Sequence, residues 1–362
     1  MSSQRLHYMD FLRATLMSLG VVYHSTKIFS VDDPWRISNP ETSPFFDGLI
    51  WCFHAFRMPA FFIVSGYFTY LIYLKYAETR FVVDRLIKLG VPLVVVGLTA
   101  NIWMAGMSDG LFDSAVPYEH RDYWLSGAWQ AHLWFLANLL LYCLGMKVLG
   151  KYIPVVFKIK LPVTAIYLLV PLCFFILVRV DSKIDDHLGA YAFFMDTGNF
   201  FRYGVYFAFG VYLYCHRTFF EELLSNTTLA FGSLVLWLMT LALIEQDTVT
   251  ELVTYCVGFS MAVCVFILSQ RFFSKPSPTI LRLSSSSYTI YLAHQPFIVW
   301  AGTIIVSLNL PYYFKFLLLV ISTYIVCYTL HHYLVRPFAL SRFLFNGQIT
   351  YNGSSRAESP AK

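Results

Sequence analysis

Apolar residues in this chain fall in long, nearly unbroken runs, not in the alternating or one-sided patterns of soluble strands and helices. A helix crossing a hydrocarbon core needs about 20 predominantly apolar residues. Ten stretches answer to that description, near 9–29, 46–73, 89–107, 130–149, 161–178, 200–215, 229–245, 250–269, 285–307 and 313–335. The pattern predicts an all-α polytopic membrane protein of about ten transmembrane helices. The seventh and eighth are the least clearly divided, with only Glu245 to Val249 between them. One membrane domain is expected over 1–345, and the Gly, Ser and Pro that follow Asn346 predict a disordered tail over 346–362.

Composition agrees with the pattern. Of 362 residues 57% are hydrophobic and only 13% charged, against roughly 25% charged in soluble domains, so lipid must solvate much of the surface. The first apolar run holds Arg13 and His24 and lacks a small-residue cleavage motif after it, so it reads as a retained span and not a cleaved signal. The net charge of +5 comes without a basic run or zinc spacing, which argues against nucleic acid as a partner. The seven cysteines lie in apolar runs with no CxxC pair, and read as packing residues with neither disulfides nor a metal site.

Charge also orients the spans. With the N-terminus inside, the alternate loops that face the cytoplasm collect 17 of the 26 Lys and Arg residues, including Arg85, Lys88, Lys151, Lys158, Arg271 and Arg282. The opposite loops collect acids such as Asp32, Asp33, Asp47, Asp185 and Asp196. By the positive-inside rule both termini are expected in the cytoplasm.

Ionisable residues inside a span cost at least a few kcal/mol each by insertion scales and mark function by default. Arg13 and His24 are eleven residues apart on the first span, close to three full turns and about 16 Å of rise, hence on one face. Arg13 would lie near the inner leaflet and His24 near the outer one. Asp10 precedes Arg13 by three residues and can pair with it, and Gly20, four before His24, offers a point of close helix approach. On the second span His54 and Arg57 share a face at a depth comparable with His24, and Pro59 frees a carbonyl beside them. Further polar and aromatic positions expected to line a substrate site are Ser65, His132, Trp134, Tyr291 and His294. The plainer reading of His132, His331 and His332, each taken alone, is an interfacial or packed residue. That of Arg85 and Lys88 is a topology signal.

Arg13, ten intervening residues and His24, followed by His54-Ala-Phe-Arg57-Met-Pro59 and Ser65-Gly66-Tyr67, resemble the opening of the membrane-bound acyltransferase-3 family. Asp33-Pro34-Trp35, His132-Leu-Trp134 and Tyr288-Thr-Ile-Tyr291-Leu-Ala-His294-Gln-Pro296 extend the likeness over nearly the whole chain up to the tail. The resemblance implies about ten helices and transfer of an acyl group from cytoplasmic acyl-CoA to a hydroxyl of an extracytoplasmic carbohydrate. Within the family the chain is most similar to the bacterial inner-membrane succinyltransferases that decorate periplasmic glucans, which implies succinyl-CoA as donor, a periplasmic glucan as acceptor and no metal. The family motif makes His24 the catalytic residue with Arg13 as its partner. Its Arg-x-x-Arg motif appears as Arg85-Leu-Ile-Lys88, where lysine keeps the charge but loses bidentate phosphate geometry.

Histidine can take the hydroxyl proton as a base, or attack a thioester and carry the acyl group itself; both routes stay open. Arg57 suits stabilisation of the tetrahedral oxyanion, or of a distal succinyl carboxylate, but not both equally. With CoA phosphates at Arg85 and Lys88, the pantetheine arm would run along the Arg13-to-His24 face. O-acetyl transfer to another surface polysaccharide is the alternative within the family. A carbohydrate transporter is the alternative outside it, disfavoured because the chain shows no inverted repeat and no paired broken helices.

Overall fold

The computed structural model describes residues 6–33, 35–109 and 119–348, and these contain helices and no strands. Pro34 and the tail beyond Gln348 lie outside the described residues. The principal helices are α1 (His7–Lys27), α2 (Pro44–Lys75), α3 (Glu78–Arg85), α4 (Trp134–Leu149), α5 (Ile166–Leu188), α6 (Phe200–Cys215), α7 (Arg217–Ser225), α8 (Thr227–Leu243), α9 (Asp247–Phe273), α10 (Pro278–Val306) and α11 (Tyr312–Leu330).

Each of the ten expected stretches falls on helix, but not all are long and apolar enough to cross a bilayer by themselves. Among the described residues five helical stretches are: Pro44–Lys75, Arg121–Val156, Asp247–Phe273, Pro278–Val306 and Tyr312–Val335. The pair α7 and α8, bent by 67°, would make a sixth. The others differ for identifiable reasons. α1 carries Asp10, Arg13, His24 and Lys27; α5 ends in Arg179, Asp181, Lys183, Asp185 and Asp186; α6 has 16 residues, fewer than the roughly 17 a straight span requires. The third expected span is not one helix. It runs from α3 through Val91–Val96 to Ile102–Asp109, interrupted by π-helical turns at Leu86–Gly90 and Gly97–Asn101.

Close backbone approach defines the centre. A Cβ on Gly66 of α2 would stand 2.0 Å from the Phe207 carbonyl oxygen of α6, and one on Gly210 of α6 would stand 2.0 Å from the Ile63 carbonyl oxygen of α2. Gly258 of α9 is similarly placed, 2.4 Å from the Ala55 carbonyl oxygen. Without a hydrophobic drive between helices in lipid, such small-residue contacts let dispersion hold them. α2 is therefore clasped by α6 and α9. α1 packs on α2 and α10, and the Tyr324 hydroxyl of α11 donates to the Ser18 carbonyl of α1 at 2.6 Å. Pro59 does not break α2, which runs on to Lys75. Of the cysteines, Cys143, Cys256, Cys264 and Cys327 are buried as expected, whereas Cys215 at the end of α6 is exposed. It is the last residue of α6.

The loop from α1 to α2 folds back over the end of the bundle. The Asn39 amide donates to the Ile28 carbonyl at 2.8 Å and the Ser43 amide to the Phe29 carbonyl at 3.0 Å. Buried Lys315 donates to Asn39 Oδ1 at 3.1 Å and to the Val306 carbonyl at 2.8 Å, tying the loop to α11. Asp47, in the first turn of α2, accepts from the Ser30 hydroxyl and from the Val31 and Asp32 amides.

Candidate functional site

At that end of the bundle α1, α2, α10 and the turn before α4 enclose a cavity of about 240 Å³. His24, His54, Arg57, His132, Trp134, Tyr291 and His294 all line it, so seven of the positions singled out from sequence meet in one place. Ser65 lines neither this cavity nor its neighbour; it sits on α2 beside the Gly66 contact with α6.

The glycine in the α1 stripe permits the meeting. A Cβ on Gly20 would lie 3.1 Å from Arg57 Nη1 and 3.2 Å from His294 Nε2, so α2 and α10 bring a cation and an imidazole against the α1 backbone there. The His24 ring is 5.2 Å from the His294 ring, centroid to centroid, and the His294 ring 5.1 Å from that of His132. The three imidazoles form a row across the cavity.

His294 Nδ1 is 2.7 Å from the Tyr291 carbonyl, and His132 Nε2 is 3.3 Å from the Leu292 carbonyl. A carbonyl only accepts, so those nitrogens carry the protons, leaving His294 Nε2 and His132 Nδ1 as bare acceptors. Those two atoms, together with His24 Nδ1 and Arg57 Nε, are buried and have no hydrogen-bond partner among the described residues. An unsatisfied buried polar atom costs about 1–3 kcal/mol. Four of them around one cavity mark a place built for polar groups that arrive with a ligand.

The turn before α4 is held in an unusual shape. Buried Asn101 donates to the carbonyls of Trp129 at 3.1 Å and Gln130 at 2.8 Å. The next residue, Ala131, has φ 47 and ψ −121 in a region L residues rarely adopt. The result aims His132 inward, where its amide also donates to Gln295 Oε1 at 3.2 Å. The interrupted helix of 97–101 is therefore a support for the site.

Arg13 stands apart. It pairs with Asp10 at 3.6 Å, as its spacing suggests, and donates to Ser284 Oγ at 3.3 Å. The cavity floor is formed by Leu16, Met17 and Met58, and Arg13 is not among its lining residues. Arg85 and Lys88 are farther off and share one carboxylate: Asp84 pairs with Arg85 and, at 2.8 Å, with Lys88. Burial alone would raise the Asp84 carboxyl, but the Lys88 hydrogen bond and the Arg85 charge outweigh it and hold it below its ordinary value. His331 donates to or accepts from Thr289 at 2.8 Å, and His332 stacks on Tyr328, in keeping with packed histidines.

Three lining or covering residues were not anticipated. Lys27 lies one turn beyond His24, lines the cavity and pairs with Asp33 at 2.9 Å. The 20, 24, 27 spacing would have put it on the stripe. Tyr23 carries two cations on its ring, Arg57 at 4.6 Å and Lys27 at 5.6 Å, and its hydroxyl is 3.4 Å from His54 Nδ1. Trp35 stacks on His24 at 5.3 Å. That contact depends on the folded-back loop, and no helical spacing signals it. Among the described residues no group of three His, Cys, Asp or Glu is arranged to hold a metal ion.

Comparison with known proteins places this geometry in context. A family profile described as an acyltransferase domain matches residues 6–332. The chain is 26% identical to Glucans biosynthesis protein C of Salmonella gallinarum, over 98% of this chain and 97% of that protein. The proteins of the same name from Salmonella paratyphi B and Salmonella dublin match with the same identity and coverage. No solved structure matches the chain. On the span of the profile and the full-length match to these relatives, the chain belongs to the acyltransferase-3 family and is a multi-pass membrane acyltransferase.

Proposed function

We propose that this protein moves a succinyl group from cytoplasmic succinyl-CoA to hydroxyls of a periplasmic glucan, in the inner membrane, with about ten spans and both termini in the cytoplasm. The observation that carries the reading is the convergence of four unpaired buried polar atoms, from His24, Arg57, His132 and His294, on one cavity. The names of the relatives support the acceptor class. The charge bias of the loops supports the orientation, which puts the cavity toward the periplasm.

In this reading the acceptor hydroxyl oxygen attacks the thioester carbonyl carbon while His24 takes the hydroxyl proton. Arg57, whose buried Nε has no hydrogen-bond partner among the described residues, stabilises the tetrahedral oxyanion. As the intermediate collapses the C–S bond breaks, the ester remains on the sugar, and the proton passes from His24 to the departing thiolate. Lys27 removes a conflict in the sequence reading. With a second cation on the same wall, Arg57 serves the oxyanion, and Lys27, which keeps one of its three donors on Asp33 at 2.9 Å, turns the others to the distal carboxylate of a succinyl group. Arg85 and Lys88 are assigned to the CoA phosphates, which must displace Asp84 from them. Arg13 acts as a positioning residue at the inner end of α1.

The test is transfer of labelled succinate from succinyl-CoA to glucan by purified protein in bilayers. His24→Ala, folded as judged by its melting profile, is expected to lose at least a hundredfold in rate. Undiminished transfer would remove His24 from the chemistry. Efficient acetyl transfer from acetyl-CoA with no response to succinyl-CoA would overturn the donor assignment.

A further inference from the structure

A second cavity, of about 740 Å³, adjoins the first, and Tyr23 and His54 line both. We propose that it is the acceptor's binding site, a subsite for a chain of neutral pyranose units, with the Tyr23–His54 pair as the partition across which a sugar hydroxyl meets the acyl group. The inference rests on the acyl-transfer reading above, because it takes the first cavity to be the place of reaction.

Size separates the two cavities. Ligand sites are ordinarily about 300–1,000 Å³. The first cavity falls below that range and suits an acyl group with the end of a thin arm; the second lies well inside it. The chemistry of the walls then narrows the ligand. Trp51 offers an open ring face, whereas Tyr203 and Tyr206, stacked on Phe62 and Phe259, line the cavity from within the core, and the Tyr255 and Thr254 hydroxyls that border it are bonded to Glu251 and to the Thr250 carbonyl. Trp51 is 39% exposed despite its size. Flat apolar faces beside polar groups match a pyranose, whose C–H face is apolar and whose rim is hydroxyl.

Charge excludes the other ligands in play. Asp32, Asp33 and Asp47 lie on this wall and would repel CoA phosphates or a free dicarboxylate. Two of the three are already engaged, Asp33 with Lys27 and Asp47 with the loop amides, so the wall does not ask for a cation either. Arg202 is held in place by a carboxylate that offsets its charge. Its Nε donates to Asp181 at 3.2 Å, and that fully buried carboxylate also accepts from the Phe201 amide at 2.9 Å and the Arg202 amide at 2.7 Å. A donor fixed in this way fits a hydroxyl oxygen. Tyr23 and His54, bonded at 3.4 Å, are the only side chains common to both sites in their described linings.

The experiment uses the full chain in nanodiscs, calorimetric titration with a neutral glucose tetrasaccharide, and two variants outside the reaction cavity. Trp51→Ala removes a stacking face. Gly48→Trp narrows the second cavity at a position where an added Cβ meets nothing within 4 Å, and its melting profile is compared with that of the wild type to show that it folds. The wild type is expected to bind the tetrasaccharide without any acyl donor, and each variant to weaken binding at least tenfold. In the transfer assay each variant is expected to raise KM for glucan at least tenfold, with slow donor hydrolysis in the absence of acceptor unchanged. No binding by the wild type, or unchanged binding in both variants, overturns the site. Transfer that continues with wild-type KM in both variants overturns it while leaving the acyl-transfer reading standing. Saccharide binding that both variants weaken, in a protein that consumes no acyl-CoA, overturns that reading and retains the site.

Discussion

Replacing Gly20 by alanine tests whether the contact of α1 with Arg57 and His294 sets the reaction geometry. The new methyl carbon would stand 3.1 Å from Arg57 Nη1 and 3.2 Å from His294 Nε2, where comfortable carbon contacts begin near 3.5 Å. Both groups are side-chain ends, so they can move, and each must retreat by about 0.3–0.4 Å. A misplacement of about 1 Å at a reacting centre costs about a hundredfold in rate, which scales to about a fivefold loss for this shift. Stability should move the other way, since Ala in a helix interior is favoured over Gly by about 1 kcal/mol. The expected result is a kcat about 3–10-fold lower with a melting temperature equal to or above that of the wild type. Gly232→Ala, on α8 with open space around its Cβ, is the control and should leave kcat unchanged. Steady-state transfer kinetics with both substrates saturating provide the measurement. Wild-type kcat in Gly20→Ala would refute the claim that Arg57 and His294 act from the positions described.

Other perturbations test other parts of the account. Asp84→Asn frees Arg85 and Lys88, and if these hold CoA phosphates the donor KM should fall by about 2–5-fold, as expected for a partly exposed ion pair worth up to about 1 kcal/mol; an unchanged or raised KM for succinyl-CoA would reduce the pair to a topology signal. Asn101→Leu leaves the Trp129 and Gln130 carbonyls unpaired and should cost about 1–3 kcal/mol, with transfer falling further than stability because the Ala131 turn no longer aims His132; a thermal melt paired with kinetics separates the two effects. Gly210→Ala drives a methyl carbon into the Ile63 carbonyl, which cannot yield because it is backbone, so the recovery of folded protein from membranes should collapse. Normal recovery would contradict the close approach of α2 and α6.

The helices were legible because lipid makes a simple demand, and each apolar run met it with helix. That several of the candidate positions would meet was legible for the same reason. His24, Arg57 and His294 stand out only against apolar neighbours, and burying such groups without purpose is costly. What the sequence left hidden depends on chain path. The stacking of Trp35 on His24 needs the loop that Asn39, Ser43 and Lys315 fold back. The interruptions in 78–109 arise where Gly97 packs under the Trp129 ring and Asn101 reaches the turn before α4, contacts that no local propensity encodes. Arg13 shares a helix face with His24, yet Leu16 and Met17 close the cavity between them. Asp84 next to Arg85 was visible in the sequence, but that it binds both cations at once followed only from the fold.

A density map of the protein in a bilayer with a non-hydrolysable succinyl-CoA analogue would show where the acyl donor sits. The account requires the thioester carbonyl within hydrogen-bond reach of Arg57, beside His24 and His294, with the CoA phosphates at Arg85 and Lys88 and a passage opened past Leu16, Met17 and Met58. Density that leaves this cavity empty, with the acyl group bound elsewhere in the bundle, would contradict it.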